Sequence, residues 1–123
     1  MGVPMNKYRD KSDFEINRAV AENVGIIENL AIYKFYGEVV WNVASNDVYN
    51  GFTSKKGFAF DPCSNPADAM PIIIENGISM VRVNNEWSAR QFNNHCIEVN
   101  DSNYYRAAME VFLMMKEAEN EKV

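Results

Sequence analysis

A single histidine and two cysteines stand in 123 residues. His95, Cys63 and Cys96 cannot assemble a four-ligand Cys/His zinc site within one chain. Neither cysteine has a CxxC partner, so free thiols are expected, with a disulfide the lesser reading. Long apolar runs are also missing. The longest, such as Ile72–Ile74, fall far short of the ~20 residues a membrane span requires. Behind Met1-Gly2-Val3-Pro4-Met5 there is no apolar signal core, so secretion is not expected. Gly2 suits myristoylation, but Asn6 stands where that motif needs Ser or Thr. Basic charge is scarce: 12 Lys and Arg face 17 Asp and Glu, a net of −5. That balance speaks against a DNA-coating role, which needs clustered cations. No GxGxxG, P-loop or GxSxG motif occurs, and no repeat, linker or second domain is visible.

What is present suits one folded domain over 1–123, with 1–10 and 118–123 expected to be flexible. Apolar residues are 47% of the chain, enough to build a core. Residues 1–60 carry seven basic and seven acidic side chains; residues 61–123 carry five and ten, so the whole excess of negative charge is in the second half. A solvated face is the plainer reading of that asymmetry, and an acidic surface for a basic partner the sharper one. Sixteen asparagines, many in pairs such as Asn84-Asn85 or beside glycine as in Asn50-Gly51, punctuate the chain with turns.

Local patterns give the elements. Ser12-Asp13-Phe14-Glu15 fits a capping box, and Ile16, Ala19, Val20 and Val24 follow at helical spacing, predicting a helix over 13–24 with Gly25 as its stop. Residues 26–60 are rich in β-branched and aromatic side chains interrupted by Gly37, Asn50-Gly51 and Gly57. They predict two to four short antiparallel strands. Asn65 can cap a helix with Pro66 at its first position and Asp68 in its first turn; it should run to about Asn76 and stop at Gly77, kinked or shortened by Pro71. Ile78–Val83 and Glu86–Phe92 predict a hairpin around Asn84-Asn85, with Trp87 and Ala89 on one face. Residues 93–101 read as loop. Asp101 or Ser102 would cap a last helix over 103–117, whose stripe is Tyr105, Ala108, Met109, Phe112 and Met115. The fold class that follows is α+β: a mainly antiparallel sheet packed by the N-terminal and C-terminal helices. An α/β/α layered sandwich is the alternative.

Candidate chemistry is sparse. His95 and Cys96 are neighbours, and neighbours on a strand point to opposite faces, so a nucleophilic pair is disfavoured against a surface histidine beside a half-buried thiol. Asp61, Asp68 and Glu75 recur every seven residues; Asp68 and Glu75 would share a helix face ~10 Å apart, too far for one ion without a third ligand. Trp41, Tyr49, Phe52, Phe58 and Phe60 could stack on bases, and Lys55-Lys56 could touch phosphate, but sheet-core packing explains the aromatics with fewer demands. Trp87, Arg90 and Arg106 are residue types that make protein-binding hot spots; burial of Trp87 under the last helix is the plainer reading. No catalytic, cofactor-binding or metal-ligating residue is assigned.

Ser12-Asp13-Phe14-Glu15-Ile16-Asn17, then Asn65-Pro66-Ala67-Asp68-Ala69-Met70-Pro71-Ile72-Ile73, Glu75-Asn76-Gly77-Ile78-Ser79, and Arg106-Ala107-Ala108-Met109 with Val111-Phe112-Leu113, occur in this order. Together they resemble the lambdoid-phage NinX family, over about residues 8–117, with 38–60 departing most. The resemblance implies phage or prophage origin, residence in the host cytoplasm and a family start near Met5. It implies no activity, because the family's function is unknown. Three expectations follow: a non-enzymatic accessory protein that binds a host or phage protein; a small enzyme or a nucleotide- or metal-binding protein using acids near Asp61 and Asp68; or single-stranded nucleic-acid binding through an aromatic sheet.

Overall fold

The computed structural model of the chain describes residues 6–24, 31–44, 58–92 and 96–121. The order of elements is α1 (Asp13–Val24), β1 (Ala31–Tyr36), β2 (Val39–Ala44), β3 (Phe58–Ala59), α2 (Pro66–Glu75), β4 (Ser79–Val83), β5 (Glu86–Gln91), β6 (Ile97–Asp101) and α3 (Tyr104–Glu121). The class is α+β. The strands form two antiparallel sheets, β1-β2-β3 and β4-β5-β6, where the sequence suggested one.

The helix boundaries follow from their caps. Ser12 Oγ accepts the Glu15 N–H and Glu15 Oε1 accepts the Ser12 N–H, both at 3.1 Å, which is the reciprocal pairing of a capping box. Asn65 Oδ1 accepts the Ala67 N–H at 3.0 Å, with Pro66 opening α2 where no donor is needed. Pro71 does not break this helix, which continues to Glu75. It ends in a Schellman turn: Gly77, at φ +63, and Ile78 donate back to Ile74 and Ile73. Gly25, the expected stop of α1, is outside the described residues.

Two expectations about the last third are corrected. The stretch 93–101 is not all loop, because Ile97–Asp101 pairs with β5, placing Ile97 and Val99 inward and Glu98 outward. The cap of α3 is Asn103, whose Oδ1 accepts the Tyr105 and Arg106 N–H groups; Asp101 instead fixes Asn103 by accepting its N–H at 2.7 Å.

The core is organised around α3. Ten consecutive residues, Arg106 to Met115, are buried, so the helix is enclosed rather than buried along one stripe. Ala89, Ile97 and Val99 of β5 and β6 cover one side of it. Ile16, Val20 and Ala21 of α1 and Ala69, Ile72 and Ile73 of α2 belong to the same buried cluster. Both helices pack on α3, and α1 also meets β1 and β2. Full burial of a side chain such as Met109 or Phe112 contributes about 1.5–3 kcal/mol, so the run of buried residues in this helix is a major source of stability.

The ends are tied down further than expected. Residues 6–10, read as flexible, are held by Asn6 Nδ2 on Glu110 Oε1 (2.7 Å), Tyr8 Oη on Glu117 Oε2 (2.8 Å) and Arg9 on Asp101. At the other end α3 is helical past residue 118, through Glu121.

Candidate functional site

Trp87, Arg90 and Arg106, the three hot-spot candidates, end in three different places. Trp87 is on the inner face of β5, half-buried, edge-on to Tyr104 at 4.9 Å and with the Arg82 guanidinium 5.1 Å from its ring centroid. Arg90 is three residues further along the strand. Alternation therefore turns it to the opposite, outer face. Arg106 is inside the protein. Its Nε donates to Glu110 Oε2 (2.5 Å), one terminal nitrogen to Asp13 Oδ1 (2.6 Å), and the other to the carbonyls of Tyr8 (3.0 Å) and Lys11 (2.7 Å). Its donors are spent on holding the segment before α1 against α3, leaving it out of any surface. Glu110, with no exposed side-chain surface, was not singled out from the sequence. The signal was available: an acid four residues after Arg106 in an otherwise apolar run.

The outer face of the β4-β5-β6 sheet is built around Arg90. Ser88 Oγ accepts from Arg90 Nε at 2.9 Å and donates to Glu98 Oε2 at 3.1 Å, which fixes the guanidinium. Its carbon lies 5.9 Å from the ring centroid of Phe92, which is 53% exposed. Gly77, Ser79 and Val81 complete a groove of about 310 Å³ with these two side chains. Val81 is itself exposed. β4 is one of the two edge strands of this sheet.

The acids near Asp61 meet a second concavity. Asp61 accepts from Asn17 Nδ2 at 2.8 Å, and its N–H donates to Asp68 Oδ2 at 2.9 Å. Asp68 and Glu75 do share one face of α2, and both line a cleft of about 210 Å³ with Tyr33, Asn42, Phe60 and Ile72. Burial pushes the Asp68 carboxyl above its ordinary range, the Asp61 charge adds to this, and the bonds from the Asp61 N–H and from Asn65 oppose it. Burial, followed by the Asp68 charge, raises the Tyr33 phenol. Among the described residues no three His, Cys, Asp or Glu side chains come together to hold a metal ion.

The thiols do not form a reactive centre with these groups. Cys63 is buried, and desolvation, with the nearby Asp13 charge, pushes its thiol far up, away from the thiolate a nucleophile needs. Cys96 is exposed rather than half-buried, at φ +52. His95, Lys55, Lys56, Tyr49 and Phe52 are outside the described residues. Of the aromatic set, Trp41 and Phe60 do not share a surface. Phe60 is in the core against Tyr33, whereas Trp41 meets Tyr36 on the other face of the β1–β2 hairpin. No helix among the described residues is long and apolar enough to cross a membrane.

A protein-family model described as Bacteriophage P22, NinX matches residues 7–116. Neither the curated proteins nor the solved structures contain a match to the chain.

Proposed function

We propose, for a chain that belongs to the bacteriophage P22 NinX family, that this phage accessory protein works without catalysis, binding a host or phage protein in the host cytoplasm. The observation that carries the reading is the outer face of β4 and β5. There an exposed phenylalanine lies beside an arginine already held by Ser88 and Glu98. Arginine and aromatic side chains dominate binding hot spots, and a side chain fixed beforehand loses little entropy on docking. Val81 and the groove beside Ser79 supply apolar surface and shape for a partner to enter.

Crosslinking in infected cells identifies the partner, and its affinity is then measured with purified components. Arg90→Ala and Phe92→Ala should each weaken that affinity at least tenfold, about 1.4 kcal/mol. Recovery of no saturable partner, or unchanged wild-type affinity in both variants, counts against the reading.

A further inference from the structure

The cleft between α2 and the β1–β2 hairpin is separate from that outer face and goes beyond the protein-binding reading. We infer that it binds a short aliphatic diamine, one ammonium at Asp68 and one at Glu75, with the methylene chain along the apolar wall between them. At about 210 Å³ the cleft is below the ~300 Å³ at which pockets for drug-sized ligands begin, a size that suits a smaller ligand. Its two carboxylates, seven residues apart on one helix, are separated by ~10 Å along the axis. Oxygen ligands of a metal ion must all lie within ~2.6 Å of it, so the pair cannot share one ion. Two cationic ends joined by a few methylenes match the separation instead.

The walls agree with that chemistry. The Tyr33 and Phe60 rings meet at a 46° tilt with centroids 4.6 Å apart, and with Pro71 and Ile72 they give the cleft an aromatic and apolar side. Such a side takes methylenes, and a ring face attracts an ammonium. Among the described residues no ion pair reaches Asp61, Asp68 or Glu75. Among the described residues Asp68 is therefore partly withdrawn from water with neutral donors, the Asp61 N–H and Asn65, beside it but no cation, and an entering ammonium supplies the countercharge.

The test is calorimetric titration of the full chain with 1,4-diaminobutane, butylamine and Mg²⁺ at physiological ionic strength. The diamine should bind saturably at one site, at least tenfold more tightly than butylamine, with Mg²⁺ unable to displace it. Asp68→Asn/Glu75→Gln should lose at least tenfold in affinity. Glu75 is exposed, so Glu75→Gln alone leaves the fold intact and should still weaken binding severalfold. Equal affinity for diamine and monoamine, displacement by Mg²⁺, or an unchanged Glu75→Gln overturns the inference.

Discussion

Two of the arginine–glutamate pairs among the described residues differ in almost everything except their chemistry. Arg106 and Glu110 sit one turn apart on α3, with side chains 9% and 0% exposed, and touch at 2.5 Å. Arg90 and Glu98 face each other across β5 and β6, 31% and 37% exposed, at 3.8 Å. In the first pair both charges are fixed by several further bonds, from Asn6 on one side and from Asp13 and two carbonyls on the other. In the second, water competes for every group. The first pair is thus tied to folding, and the second stays at the surface, where recognition is proposed.

The largest effect expected from breaking this contrast is at Arg106. Arg106→Ala leaves Glu110 charged and buried, a loss of about 3–5 kcal/mol in urea unfolding. The low end applies, because Asn6 and Arg9 still face Glu110. The double variant Arg106→Met/Glu110→Leu should recover much of the loss, since the unpaired charge goes with it. Arg90→Ala should cost under ~1 kcal/mol in the same measurement, as exposed pairs do, even though it should weaken the proposed partner binding tenfold. A loss of 3 kcal/mol there would erase the distinction between the two pairs.

The smallest effect is at a third pair, Lys7 and Glu117, 3.0 Å apart and the most exposed of the three. The hydrogen bond from Lys7 lowers the Glu117 carboxyl below its ordinary 4.5; burial opposes this, and the hydrogen bond from Tyr8 and the Lys7 charge add to the lowering. A carboxyl lowered by folding contributes stability above its unfolded value and loses it as pH falls through the folded one. Glu117→Gln should therefore reduce stability slightly at neutral pH and flatten the acid limb below about 4.5. Parallel acid limbs in urea midpoints taken from pH 3 to 7 would contradict this.

How far the sequence could be read depended on the range of the interactions. α1 and the start of α2 were legible because Ser12–Glu15 and Asn65–Pro66–Asp68 are local devices that work within one turn. The β4–β5 hairpin was legible because Asn84 tolerates the positive φ its turn needs (+56). β6 was missed because Asn93, Asn94 and Asn100 surround a short Ile-Glu-Val alternation that turn signals outweigh. The grouping of Trp87, Arg90 and Arg106 failed for two reasons. A period of two separates the first two, and no pattern within α3 alone shows that neighbours enclose the helix on every side, Arg106 included. In the acid site, the shared face of Asp68 and Glu75 was visible from spacing, but its aromatic wall from Tyr33 and Phe60 comes from distant strands.

Composition and spacing alone decided that this chain makes three helices, two of them with their caps, and short antiparallel strands, and that it lacks the residues for a Cys/His zinc site. Those properties depend on bonds within a few residues, which any reading of consecutive side chains can reach. Only the tertiary structure decided that there are two sheets and that α3 is enclosed. It likewise decided that Arg106 holds the N-terminal segment while Arg90 stays at the surface. Those outcomes depend on which surfaces meet to exclude water, and that is set by contacts between segments dozens of residues apart.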